Sequence, residues 1–155
     1  MNEFMKTALD MAFKGMNSGQ GGPFGAAIVQ NGAIISVAHN RVLATNDPTM
    51  HAEIAAIRAA CEKLGRFDLS DCEIYSTCQP CPMCLGAIFW AKIPTLYYGC
   101  TEDDAEKIGF SDKFIYDAIR GGLENQNKLE ILKIDREKCL EAFKAWEEKQ
   151  DKNMY

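Results

Sequence analysis

Long apolar runs are missing from this chain. None reaches the roughly 18 residues that a membrane-spanning helix needs, and residues 1–10 carry Glu3 and Asp10 without an uninterrupted apolar core. Neither a membrane span nor a secretory leader is expected. A basic excess is missing too: net charge is −5 and the isoelectric point about 5.1. Proteins that hold polyanions usually show the opposite balance, so nucleic acid is not expected as the main partner. Evenly paired cysteines are lacking. There are seven, an odd number, and Cys78, Cys81 and Cys84 crowd one short run. A secreted disulfide scaffold spreads its cysteines in pairs; reduced thiols in a cytoplasmic protein, clustered for a metal, fit this spacing better. Repeats, linkers and low-complexity tracts are absent as well, so the 155 residues read as one domain, 1–155, around one core. With 47% apolar residues the chain has enough hydrophobic surface to fold.

Helix-like and strand-like segments alternate, the mark of a layered α/β domain. Phe4, Leu9, Met11, Ala12 and Met16 predict an amphipathic first helix that ends near Asn17–Ser18–Gly19. After the turn Gln20–Pro23, residues 25–29 and 33–38 read as two strands joined at Asn31–Gly32, a strong hairpin signal. Asn46–Thr49 is a loop before a helix whose predicted buried face is Ile54, Ile57, Cys61 and Leu64, with Gly65 as its stop. A strand over 73–77 precedes a helix opened by Pro82 and running to about Trp90. Further elements are a strand over 95–99, a helix over 112–120 closed by Gly121–Gly122, a final strand over 129–134 and a charged helix over 137–148.

Two short motifs carry chemistry. His51–Ala52–Glu53 opens one helix, and Pro80–Cys81–Pro82–Met83–Cys84 opens another. Cysteines three apart share a helix face, and a helix N-terminus favours the thiolate that a metal needs. His51, Cys81 and Cys84 form a three-ligand set with a fourth position open, the catalytic rather than the structural zinc pattern. Zinc at such a position lowers the pKa of water toward neutrality. Glu53 is two residues from a ligand, placed to move protons rather than to bind metal. Simpler readings stand beside this one: Cys78 and Cys81 also form a redox-type Cys-x-x-Cys pair, and a histidine at a helix start can cap or pack. Taken together, the motifs match the H-x-E…P-C-x-x-C signature of zinc nucleobase deaminases.

Through these residues the chain resembles the cytidine-deaminase-like superfamily, and within it the small guanine deaminases, over Met5 to about Ile119. Gly21–Ala26, Asn46–Thr49, Gly109–Tyr116 and a terminal aromatic, Tyr155, carry the narrower resemblance. It implies a three-layer α/β/α fold with a mixed central sheet of about five strands and one Zn2+ per chain. It also implies a homodimer that exchanges its C-terminal segment, about 121–155, between subunits. The site residues it implies are Asn40 and Phe24 on the base, Asp112 on the guanine edge with a share in proton transfer, Ala52 and Trp90 near the pocket, and Tyr155 closing a site. Each has a plainer alternative: Phe24 and Trp90 as core, Asp112 as a helix cap, Asn40 as a turn residue, and Tyr155 as a frayed end. Gln79 departs from the family's usual Glu, and residues 121–132 look closer to plant-type guanosine deaminases.

Hydrolysis of guanine to xanthine and ammonia is the expected activity, on a small-molecule nucleobase or nucleoside. Guanosine deaminase, tRNA-editing adenosine deaminase and cytosine deaminase share the motifs and are the enzymatic rivals. A zinc-stabilised binding module would have no use for Glu53, which separates that class from the enzymes.

Overall fold

The computed structural model describes residues 1–122 and 126–155. Backbone contacts divide them into two units, Met1–Lys113 and Phe114–Tyr155. In the first unit the order is α1 (Glu3–Asn17), β1 (Gly25–Gln30), β2 (Ala33–His39), α2 (Val42–Thr45), α3 (Ala52–Leu64), β3 (Cys72–Cys78), α4 (Pro82–Trp90), β4 (Thr95–Cys100) and α5 (Glu102–Lys107). The second unit holds α6 (Lys113–Gly121), whose first residue ends the first unit, and α7 (Arg136–Glu148). Among the described residues no helix is long and apolar enough to cross a membrane.

One mixed sheet in the order β2-β1-β3-β4 organises the first unit. β1 pairs antiparallel with β2 and with β3, while β3 and β4 run parallel across the α4 connection. Asn31 and Gly32, at φ 50° and 74°, make the tight β1–β2 turn. Side chains alternate between the two faces of the sheet. Ala26, Ile28 and Ile74 pack with Ala52, Ala56 and Ala60 of α3 and Ile88 of α4. Ala27, Val29 and Tyr75 pack on the other side with Ala8, Phe4 and Met5 of α1. This is the expected three-layer α/β/α arrangement.

The helix faces match the expected ones in part. The expected Ala12 of α1 and Ile57 of α3 are buried, and the expected Phe4, Cys61 and Leu64 pack partly buried against the core, but small residues fill most of each face: Ala8 and Gly15 in α1, Ala52, Ala56 and Ala60 in α3. For α1 the reason is close approach. A Cβ at Gly25 would lie 2.0 Å from the Ala8 carbonyl oxygen, so α1 rests its backbone directly on β1 and only small residues fit between them. The larger apolar side chains flank the contact.

The sheet has four strands, not about five. Residues 129–134 form no ladder: their unit contains no other strand among its described residues, and Leu129, Ile131, Leu132 and Ile134 are exposed. Two short helices, α2 and α5, were not anticipated. A reciprocal cap starts α5, in which the Thr101 N–H donates to Asp104 Oδ2 at 3.0 Å and the Asp104 N–H returns to Thr101 Oγ1 at 3.4 Å.

Candidate metal centre and active site

Two helix starts converge on one side of the sheet. His51 is the residue before α3, in extended conformation (φ −70°, ψ 163°), and Cys81 is its counterpart before α4 (φ −64°, ψ 166°). Pro82 fixes the first turn of α4 and leaves Cys84 one turn inside, fully buried. The loop before His51 is tied down at Asp47, whose Oδ1 accepts from the Thr49 N–H at 2.8 Å and hydroxyl at 2.6 Å. The Arg41 N–H then donates to the Met50 carbonyl at 2.9 Å, joining the end of β2 to the residue before His51.

His51 Nδ1 lies 3.6 Å from Cys81 Sγ and 3.6 Å from Cys84 Sγ. Tetrahedral zinc with bonds of about 2.3 Å to sulfur and about 2.0 Å to nitrogen has N···S edges of roughly 3.5 Å. The donor set and its spacing therefore fit zinc. Among the described residues these three form the one group of ligand type, with their atoms within 4.8 Å of one another. A hydrogen bond from Cys84, supported by His51, draws the Cys81 thiol down to about 4. Its bond to Cys81 pushes the His51 imidazole up. The Cys84 thiol, which donates to Cys81 and is buried, is pushed up. Cys78 stands outside the set: its Sγ faces the Thr101 carbonyl at 3.6 Å, burial pushes its thiol up to about 11, and both it and Cys81 are free thiols.

Glu53, in the first turn of α3, is only 6% exposed. Its Oε1 accepts from Ser76 Oγ at 3.0 Å, and its Oε2 lies 3.5 Å from Cys84 Sγ. Burial pushes its carboxyl up, in the direction of the protonated form. Ser76 escaped the sequence reading. Its signal was a polar residue in the inward phase of an apolar strand, between Ile74 and Cys78.

The remaining expected residues divide into two groups. Asn40 is buried at the end of β2, and its N–H donates to the Phe24 carbonyl at 3.0 Å. The Phe24 ring meets Phe110 edge-on with centroids 5.1 Å apart, and Phe110 is two residues from Asp112. Burial raises the Asp112 carboxyl, which also feels the charges of Cys81 and His51. Asn40, Phe24 and Phe110 thus form one chain of contacts within the first unit, and Asp112 lies within electrostatic reach of Cys81 and His51. Ala52 is fully buried in the core between His51 and Glu53. Trp90 is 68% exposed at the far end of α4, nine residues of helix beyond Cys81, roughly 13 Å of rise. Tyr155 is exposed at the end of the second unit.

Known proteins are similar to this chain. A family profile described as the cytidine and deoxycytidylate deaminase zinc-binding region matches residues 1–100. The guanine deaminase of Bacillus subtilis is 45% identical over 152 residues, 98% of this chain and 97% of that protein. An X-ray structure of guanine deaminase from Bacillus subtilis superposes with a TM-score of 0.94 at 44% identity, covering 100% of this chain and 99% of that one. A tRNA-specific adenosine deaminase of Agrobacterium fabrum is 39% identical over 127 residues, 77% of this chain and 84% of that protein. With its His/Cys/Cys donor set inside the matched region, the chain belongs to the cytidine and deoxycytidylate deaminase zinc-binding family.

Proposed function

We propose that this chain hydrolyses guanine to xanthine and ammonia, consuming one water per guanine. The observation that carries the reading is the joint arrangement at α3 and α4, a His/Cys/Cys set at zinc spacing with the buried Glu53 carboxyl 3.5 Å from one sulfur. Likeness to guanine deaminase over 98% of the chain selects the base. The adenosine deaminase of tRNA matches less of the chain, and a net charge of −5 suits an RNA stem poorly.

His51, Cys81 and Cys84 would hold the zinc, which when bound supplies a Lewis acid that lowers the pKa of water. Glu53 shuttles the proton. One carboxylate oxygen takes a proton from water and delivers it to the ring nitrogen beside the reacting carbon; the second water proton follows the same route to the departing amine, which leaves as ammonia. Ser76 holds the other oxygen in place. Phe24 offers its ring to the purine, Asp112 accepts from N–H groups on the guanine edge, and Asn40 pairs with the remaining polar edge. Asp112 also assists the proton movement.

A homodimer accompanies this reading. α4 exposes Phe89 and Trp90, and β4 exposes Tyr97 and Tyr98, aromatic surface of the kind that marks interaction sites. The segment ending at Tyr155 is the part assigned to exchange between subunits, where Tyr155 closes a site. Ammonia release measured side by side from guanine, guanosine, adenosine, cytosine and a tRNA anticodon stem tests the reading. Guanine is expected to be best by a wide margin. A faster reaction with adenosine, cytosine or the RNA stem would overturn the substrate assignment.

A further inference from the structure

We propose that His39 is a positioning residue for substrate binding: with Gly21 it locks Asn40 so that the Asn40 amide meets the substrate as a hydrogen-bond donor. The inference rests on the reading that Asn40 contacts the base.

Three of the polar groups of Asn40 are already engaged. Its N–H donates to the Phe24 carbonyl at 3.0 Å, its carbonyl accepts from His39 Nδ1 at 2.9 Å, and its side-chain Oδ1 accepts from the Val42 N–H at 3.2 Å. A backbone N–H can only donate, so the amide oxygen must face Val42 and the NH2 group must point the other way. Among the described residues nothing accepts from Asn40 Nδ2, and no fully buried side-chain nitrogen or oxygen lacks a partner. Nδ2 therefore reaches solvent and has two N–H groups to offer. Asn40 follows Ala38 in strand phase, on the face that packs against α3.

His39 works from the opposite face. It is 7% exposed and shares its phase with Val37, which packs toward α1. A Cβ at Gly15 of α1 would lie 2.5 Å from the His39 ring, so the imidazole is clamped against that helix. A carbonyl can only accept, so the hydrogen of this bond sits on Nδ1. Gly21 closes the socket. A Cβ there would lie 2.2 Å from Asn40 Oδ1 and 2.4 Å from its backbone oxygen, so any side chain at that position displaces both. A space-filling role under α1 would need only volume. The hydrogen bond to the Asn40 carbonyl is what volume alone does not explain.

Steady-state kinetics on the zinc-replete protein separate these roles. His39→Leu keeps bulk and loses the donor; it should raise the guanine KM about tenfold, the scale of one lost hydrogen bond, with kcat and zinc content within about twofold. His39→Asn places an amide nitrogen where Nδ1 lies and should hold KM within about threefold of the original. If His39 acts through Asn40, His39→Leu adds nothing further to KM in the Asn40→Ala background. Gly21→Ala, which crowds Asn40 directly, should raise KM in the same way and supplies the answer if His39→Leu does not fold. An unchanged KM in His39→Leu or Gly21→Ala, or an equal rise in the Asn40→Ala background, would overturn the positioning role. An Asn40→Ala protein with unchanged guanine KM would instead remove the base contact itself, and the inference with it.

Discussion

Glu53→Gln separates chemistry from architecture more cleanly than any other change at the site. Glutamine has the shape of glutamate. Its Oε1 can still accept from Ser76 Oγ, now 3.0 Å from the carboxylate, and its Nε2 can turn toward Cys84 Sγ, 3.5 Å away. No cavity opens and no buried group is orphaned, so the cost to folding should stay below about 1 kcal/mol. Removing a charge from a side chain only 6% exposed also relieves desolvation, so the melting temperature should not fall. Zinc should remain, because Glu53 lies outside the donor set. What is lost is the group that carries the proton, and that should lower kcat by at least ~10²-fold, about 2.7 kcal/mol of barrier. The assay is xanthine formation by protein of verified zinc content, with circular dichroism as the folding control. Near-normal turnover in a metal-replete, folded Glu53→Gln protein would refute the proton-carrying role. Glu53→Ala would not serve, since it leaves a cavity and an unpartnered Ser76 hydroxyl.

Three further outcomes are expected. Asp112→Ala should reduce guanine turnover more than any slow side activity on adenine or cytosine, because a carboxylate that accepts from guanine N–H groups does nothing for an edge of acceptors; an equal loss on all bases would contradict this. Asp68→Asn should lower the melting temperature at neutral pH: Ser70, first, and then Lys92 hold the Asp68 carboxyl at about 2 against an ordinary 3.8. A depressed carboxyl stabilises the fold above 3.8 and loses that contribution as pH falls toward 2, so the deficit should narrow across that window, and a deficit independent of pH would be the wrong result. A chain ending at Gln150 should show a smaller mass by light scattering and altered guanine kinetics, and an unchanged dimer with unchanged kinetics would dissociate the C-terminal segment from both.

Much of this molecule is legible before its coordinates because local chemistry decides it. Asn31–Gly32 makes the hairpin through left-handed backbone, Pro82 opens α4, and Gly65 ends α3 at φ 66°. The donor set is legible for the same reason, since two helix starts with fixed residue types leave little freedom. What sequence does not reveal depends on partners distant in the chain. The buried small-residue face of α1 follows from how closely its backbone approaches β1, which periodicity does not report. The expected strand over 129–134 has apolar residues of the right kind but, among the described residues, joins no ladder. Ser76 matters through Glu53, 23 residues away, and His39 is held against Gly15 of α1, and neither belongs to a motif.

Zinc K-edge X-ray absorption on the purified protein, with elemental analysis, addresses the central claim most directly. One zinc per chain is expected, with two sulfur neighbours at about 2.3 Å, the rest nitrogen or oxygen at about 2.0 Å, and loss of the metal in a Cys81→Ala, Cys84→Ala double variant. Zinc retained by that variant, or a shell of four sulfurs, would contradict the His51–Cys81–Cys84 site and the deaminase chemistry built on it.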